Sequence, residues 1–482
     1  MRRNSWLKKL SIATLSALLS WGIMWPAAAA EAASAWEQLE EVYTYIERYH
    51  YSGISGSELR TGAIEGMIEK LDDPYTTYYD SSEWEQMNHS LDQDYVGIGI
   101  EFIESGEGML IRSVFPGSAA EKAGLLPGDI IVGIAGSSIA GKAFEEYGDQ
   151  LTGAEGTTVL LDVKPAAGRT KQVLVTRKPF HIPSVEYGRM DGGVGYILIS
   201  SFSEDTEELF NRALSSLGQG KPIHGLVVDV RGNPGGYLQS VLGVAKQFIR
   251  SGPLMYMKDR DGNLSPLEFT GGNTLKVPVA LLVDGRSASA SEVLAGALKD
   301  YQAATVIGTQ TYGKGSVQQL ISLETGGGLR LTVEHYLTPD GHEVNEVGIT
   351  PDVVIDHPIL QSFAAIREVG GQKLNLRIGK FGTAINGIEF DDILPTIREQ
   401  GKTYVPSVVL AAMLNGEAVW DGPSSSIAVR TGETSVTFDA GSGLKLKDGR
   451  SYIALDAVAK AFPAVRAATT TDTVVLELKS DG

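Results

Sequence analysis

Apolar positions change their period several times along the 482-residue chain. Between about residues 31 and 90, Leu39, Val42, Tyr43, Ile46 and Tyr49 recur at helical spacing, which predicts a helical N-terminal segment broken by an aromatic turn at residues 72–79. From Tyr95 to about Lys178 the pattern turns strand-rich, with one short helix near residues 117–125. Residues 179–357 alternate strand-like and helix-like runs, as an α/β core does. From about Gln372 short strands return at 374–378, 383–390, 402–405, 418–420 and 426–429. Pro406 ends the third of these because it cannot donate to a sheet ladder, and a helix-like run over 408–414 follows. A second pass reads strand 449–454, helix 456–461 and strand 473–478. The predicted class is multidomain α/β and α+β, with segments 1–30, 31–90, 91–178, 179–358 and 372–482.

The first segment is read apart from the fold. Arg2, Arg3, Lys8 and Lys9 precede an apolar run over 10–25, then Pro26 and an alanine stretch ending at Ala30. That is the form of an export leader cleaved near Ala30, with an uncleaved anchor as the alternative; the chain is expected outside the cytoplasm, extracellular or in the envelope. The formal net charge is −18 with the leader cations included, which disfavours nucleic acid and anionic lipid surfaces as partners. The chain has no cysteine, so disulfides, thiol catalysis and cysteine metal sites are excluded.

The candidate chemistry lies in residues 278–323. An apolar run at 279–283 ends in Asp284-Gly285, and a serine cluster leads into a helix predicted from about Val293 to Tyr301. Such a turn places side chains at the sheet edge and aims free N–H groups at a ligand. After the next strand-like run, Thr311-Tyr312-Gly313-Lys314-Gly315-Ser316-Val317-Gln318 puts Lys314, Ser316 and Gln318 on one face if extended. Ser289 and Lys314 read as a serine-lysine pair. Other readings of the same residues are a capping box with Ser289 at the N-cap and Glu292 at N3, a phosphate-binding loop over 308–314 that lacks its Ser or Thr at Gly315, and a solvated hairpin lysine. Upstream, Asp229-Val230-Arg231-Gly232-Asn233-Pro234-Gly235-Gly236 joins a strand to a helix predicted over 237–249 and offers backbone donors to an oxyanion. His335 and His342 lie near Glu334 and Glu343 without zinc-ligand spacing, and Asp72-Asp73 reads as a turn, so no metal is expected.

Three stretches in this order, DVRGNPGG, SASASE and TYGKGSVQ, resemble the carboxy-terminal processing proteases, a family of serine peptidases. The resemblance implies Ser289 as nucleophile, Lys314 as general base, Gln318 as the residue orienting the lysine, and backbone N–H groups at Gly235 and Ala290 as the oxyanion hole, with no cofactor. It also assigns the DDPYT stretch at residues 72–76 to a dimerising and packing segment, and so allows a homodimer. Residues 95–178 resemble a PDZ domain, with Val96, Gly97, Ile98, Gly99 and Ile100 as the loop that holds a peptide carboxylate. Thr152 stands where many relatives carry arginine, which leaves open whether peptide binding is coupled to the active site. The C-terminal near-repeat resembles the small stalk-like domain found beside copper amine oxidases. It implies a spacer or envelope contact and no copper, since no histidine follows His357.

The expected activity is cleavage of exported proteins bound through their free C-termini. A serine-histidine-aspartate triad using His224 and Asp229 is a chemical rival. A non-catalytic PDZ peptide-binding scaffold in the envelope is the rival of another class.

Overall fold

A computed structural model describes residues 35–379, 382–390, 392, 394–432, 434–470 and 473–478. The expected export leader lies outside them, and no described helix is long and apolar enough to cross a membrane. The chain forms two compact units that meet in sequence at Asp72 and Asp73.

The first unit holds the helices Ala35–Tyr49 and Gly56–Glu69. A capping box starts the second: Ser55 N–H donates to Glu58 Oε2 at 3.0 Å and Glu58 N–H returns to Ser55 Oγ at 3.2 Å. The first helix leaves Trp36, Leu39, Val42, Tyr45 and Tyr49 exposed.

In the second unit the turn at Asp73–Thr76 leads into a strand, Thr77–Tyr79, which pairs with Arg330–Gly328. The aromatic turn is therefore stitched to the core, and the helix that follows, Ser81–Leu91, lies in this unit. Beyond it stands the PDZ-like sheet, in the order Ile100–Ser105, Gly108–Val114, Ile130–Ile134, Thr158–Lys164, Lys171–Thr176. The chain enters this domain along Asp94–Gly97 and leaves along Lys178–His181. These two strands pair with each other and make a two-stranded neck.

The core is a six-stranded sheet, Val185–Arg189, Val194–Ile199, Gly225–Asp229, Val279–Val283, Thr305–Gly308 and Val353–Val354. The pairs between its second and sixth strands are all parallel. Strand alternation sorts its side chains between two cores. Ile197, Leu226, Val228, Leu281 and Val306 face the helices Thr206–Gly218, Leu238–Ala245 and Ala290–Asp300. Tyr196, Val227, Ala280, Leu282 and Ile307 face the helix Pro358–Glu368.

That second core does not stop at the helix. It continues through Leu376, Ile385, Val405, Leu410, Ile453 and Leu476 of the C-terminal region. This region is thus built onto the protease sheet through shared apolar packing, where a free spacer would have closed its own core. Its two passes match in space, since Lys402–Pro406 pairs antiparallel with Arg450–Ala454 and a short helix follows each. The single strand predicted over 383–390 is a hairpin, Thr383–Ile385 with Ile388–Phe390. Asn386 at φ 51° and Gly387 at φ 86° form its two-residue turn.

Candidate active site

Ser289 sits between a strand end and the first residue of the helix Ala290–Asp300, with φ 55° and ψ −115°. A side-chain-bearing residue in this region is strained, and the surroundings must hold it there. The holding group is Glu292, fully buried one turn into the helix. Its Oε2 accepts the N–H of Ser289 at 2.9 Å and of Lys314 at 2.8 Å; its Oε1 accepts the Gly313 N–H at 2.7 Å and the Thr311 hydroxyl at 2.6 Å. Burial pushes this carboxyl above the ordinary range, against those hydrogen bonds, which favour the anion. Only half of the expected capping box forms, since the Ser289 side chain makes no cap hydrogen bond and the Glu292 N–H goes to the Ser289 carbonyl at 2.8 Å; the carboxylate instead fastens the lysine loop to the serine turn. The buried Tyr336 hydroxyl makes a second tie, shared between the carbonyls of Ser289 at 3.1 Å and Lys314 at 3.0 Å.

The upstream loop is held with equal care. Asn233 Nδ2 donates to the Ile199 carbonyl at 2.9 Å, and its own carbonyl accepts the Ala288 N–H and the Ser291 hydroxyl, both at 3.0 Å. Gly235, at φ 107°, passes so close that an added Cβ would lie 2.8 Å from the Ser289 Cβ. Only glycine combines that conformation with that approach. Ala290 N–H, at the helix start, has no intrahelical acceptor. The Gly235 N–H, the other expected oxyanion donor, is bonded to Asn233 Oδ1 at 2.8 Å, so in this conformation it is not free for an oxyanion. Asp229, paired with Arg231 at 2.6 Å and with the Tyr196 hydroxyl at 2.9 Å, fixes the strand end below.

Lys314 lies before the strand Ser316–Ser322, so the expected alternation from Lys314 to Gln318 does not hold as written. A bulge between Val317 and Gln318 shifts the register further. Gln318 Nε2 donates to Ser316 Oγ at 2.7 Å and Thr332 Oγ1 at 3.4 Å. No hydrogen bond among the described residues joins the Lys314 amine to Ser289 or to Gln318. The amine stands over the Tyr75 ring, 5.0 Å from its centroid. Burial, then the Arg330 charge, pushes its pKa below the ordinary lysine value, while Glu292 and Asp73 oppose the shift.

Ser289, Ala290, Gly235, Lys314 and Gln318 nevertheless line one cleft of about 550 Å³. Met87, Ser90 and Leu91 of the helix Ser81–Leu91 also line it, as does Gln93 at the foot of the neck. The alternatives fare differently. The donors that a phosphate loop would need at Gly313 and Lys314 are taken by Glu292, and a strand follows where a helix is required. His224 precedes the strand Gly225–Asp229 and Asp229 ends it, roughly 16 Å away at a strand's rise per residue, so the two cannot form a triad. His342 lies instead beside exposed Asp340 and half-buried Asp300, the last residue of the helix Ala290–Asp300.

In the PDZ-like domain, Val96 and Gly97 belong to the neck and Ile98 is buried. Gly99, at φ 79°, packs where a Cβ would meet the Ser118 Cβ at 2.4 Å, and Ile100 opens the strand Ile100–Ser105. That strand is the outer edge of its sheet, free to pair with an added chain. Thr152 forms a bridge to Gly97, and the Gly153 N–H donates to the Val96 carbonyl at 3.3 Å.

Sequence reasoning saw Glu292 only as a cap and missed Tyr336 and Tyr75. Glu292 had a local signal, its place three residues after Ser289; the two tyrosines reach the site through long-range pairing that no local pattern announces.

Residues 193–355 match the model of peptidase family S41. Residues 24–83 match the activating protease CtpB N-terminal domain, 110–165 the PDZ domain and 384–464 the copper amine oxidase N-terminal domain. The carboxy-terminal processing protease CtpB of Bacillus subtilis is 39% identical over 331 residues, covering 67% of this chain and 68% of that protein. A probable CtpA-like serine protease of Staphylococcus aureus is 36% identical over 365 residues, covering 74% and 73%. A photosystem II D1 C-terminal processing protease of known structure is 29% identical, covers 69% of this chain and 96% of its own, and superposes with a TM-score of 0.42. With its strained serine turn, PDZ domain and this breadth of identity, the chain belongs to peptidase family S41, the carboxy-terminal processing serine proteases.

Proposed function

We propose that the chain is an exported endopeptidase with a serine-lysine site, acting on proteins whose free C-termini bind the PDZ domain. The observation that carries this reading is the Glu292 carboxylate, which binds the main chains of Ser289 and Lys314 with its one oxygen Oε2. A purely structural cap would have no reason to reach the lysine loop.

In the proposed reaction neutral Lys314 takes the Ser289 hydroxyl proton as Oγ bonds to the scissile carbonyl carbon. The Ala290 N–H faces the oxyanion, and the Gly235 N–H joins once it leaves Asn233. The lysine then gives that proton to the departing amine as the C–N bond breaks. Water, deprotonated by the same lysine, cleaves the ester and returns the free serine with a new carboxylate. Gln318 suits such a site because, on turning to the lysine, it accepts a hydrogen bond without the charge that would hold an ammonium.

A peptide added along the edge strand Ile100–Ser105 would sit directly after the neck strand Asp94–Gly97, and the neck follows the helix that walls the cleft. Peptide binding thereby has a short covalent route to the lysine side of the site. The exposed apolar face of the helix Ala35–Tyr49 fits a second copy of the chain. The basic and apolar N-terminal run supports export.

Cleavage of an unfolded protein such as casein by the fragment from residue 31 tests this. Activity should vanish in Ser289→Ala and in Lys314→Ala with folding intact. Equal activity in either variant would remove the serine-lysine reading, and wild-type inertness that persists with C-terminal peptides would favour the scaffold.

A further inference from the structure

Tyr75 belongs to a turn that is fastened rather than loose. Asp73 Oδ1 accepts the Tyr75 N–H at 3.0 Å, and Asp73 Oδ2 accepts the Thr76 hydroxyl at 2.5 Å. The Thr76 oxygen accepts the Thr332 N–H at 3.1 Å, and Arg330 Nε donates to the Tyr75 carbonyl at 3.0 Å. With the pairing of Thr77–Tyr79 beyond it, the half-buried ring is set against the strand Gly328–Leu337, beside the strand Ser316–Ser322 that follows the lysine. The face of an aromatic ring attracts an ammonium and has no such preference for a neutral amine.

We propose that Tyr75 is a positioning residue for the general base: its ring docks the charged Lys314 side chain away from Ser289, and the amine must leave the ring and give its proton to water before it can serve as base. This rests on the serine-lysine reading. It gives the DDPYT stretch a task inside the active site, beyond packing.

The charged groups that face the amine come from three sides. Arg330 repels the ammonium from the neighbouring strand; Glu292, on the nucleophile helix, and Asp73, on the tyrosine's own turn, attract it. Tyr312, on the lysine loop, interacts with the Tyr75 hydroxyl. Removing the ring deletes one stabiliser of the ammonium and leaves these charges in place. The lysine should then lose its proton at lower pH.

The test is an isotope-labelled lysine titration by NMR in the Ser289→Ala protein, with the Lys314 signal assigned by its loss in Lys314→Ala. Tyr75→Leu should lower the midpoint by about half a pH unit or more, the size of a partly buried cation–π contact, and Tyr75→Phe, which keeps the ring, should hold the wild-type midpoint. In active protein the acid limb of kcat/KM should move the same way in Tyr75→Leu. An unchanged midpoint in Tyr75→Leu, or equal shifts in both variants, overturns the proposal. If Tyr75→Leu fails to fold, Tyr75→Met, which keeps the bulk without the ring, takes its place with the same two outcomes. Failure of the serine-lysine reading would show separately, as casein cleavage surviving in Lys314→Ala.

Discussion

The serine half and the lysine half of the cleft, nucleophile and base in the proposed reaction, are held in different ways. Ser289 is fixed by its backbone: a strained φ, a buried carboxylate on its N–H, a tyrosine hydroxyl on its carbonyl and the Asn233 loop pressed against it. The Lys314 main chain shares that fastening and Gln318 is held by strand pairing with Thr332, yet their side-chain ends point elsewhere, to the Tyr75 ring and to Ser316 and Thr332. The difference teaches that this fold preorganises where the reacting groups stem from and leaves to side-chain rotation how they meet. Rotation of two side chains is a small change, well within what a bound peptide can bias.

Breaking the shared fastening should have the largest effect. Glu292→Ala leaves three buried or part-buried N–H groups and the Thr311 hydroxyl without their acceptor, a buried one worth about 1–3 kcal/mol, so thermal unfolding should come well below wild type and activity should be lost. Glu292→Gln keeps the shape but offers one carbonyl oxygen and an amide that must face donors. It should fold and lose roughly 100-fold in kcat/KM, the scale of a misplacement near 1 Å. Near-wild-type kinetics in Glu292→Gln would mean that the tie between the halves is only structural.

Gln318→Ala touches the base half alone. A loss of about tenfold, some 1.4 kcal/mol of barrier, is expected in kcat with KM little changed, because in the proposed reaction the residue acts on the lysine and not on the substrate. A pure KM effect would place Gln318 in substrate binding.

The smallest effect concerns the neck. His181 stands 3.0 Å from both Asp94 and Asp205 and joins the PDZ neck to the protease helix Thr206–Gly218. Burial alone would lower its pKa, but the two carboxylates outweigh that and raise it. A raised folded-state pKa means the stabilisation is fully present below the ordinary histidine value near ~6.5 and fades as pH climbs through the raised one. The side chain is 39% exposed, so the contribution should stay under about 1 kcal/mol. Melting temperatures of His181→Gln and wild type should differ most at acid pH and converge toward pH 8; a constant gap would argue against the ion pairs.

Much of this was legible in local pattern. The strand ending at Val283, the serine turn and the helix after it follow from an apolar run meeting Asp284-Gly285 and then a 3.6-residue period. What sequence could not supply was partnership. Thr77–Tyr79 is too short to announce itself as a strand and becomes one only against Arg330–Gly328. The union of the C-terminal region with the sheet depends on which face Tyr196 and Leu282 turn outward, a matter of packing across roughly 200 residues. The hairpin at Asn386-Gly387 was readable, since that dipeptide is a strong turn signal between apolar runs.

The most direct measurement is the rate at which a fluorophosphonate labels Ser289, with and without a peptide bearing a free apolar C-terminus. Labelling should be slow in the protein alone, rise several-fold with the peptide, and lose that rise in Lys314→Ala. Equal rates with and without a peptide shown to bind would contradict a base half that is assembled on demand.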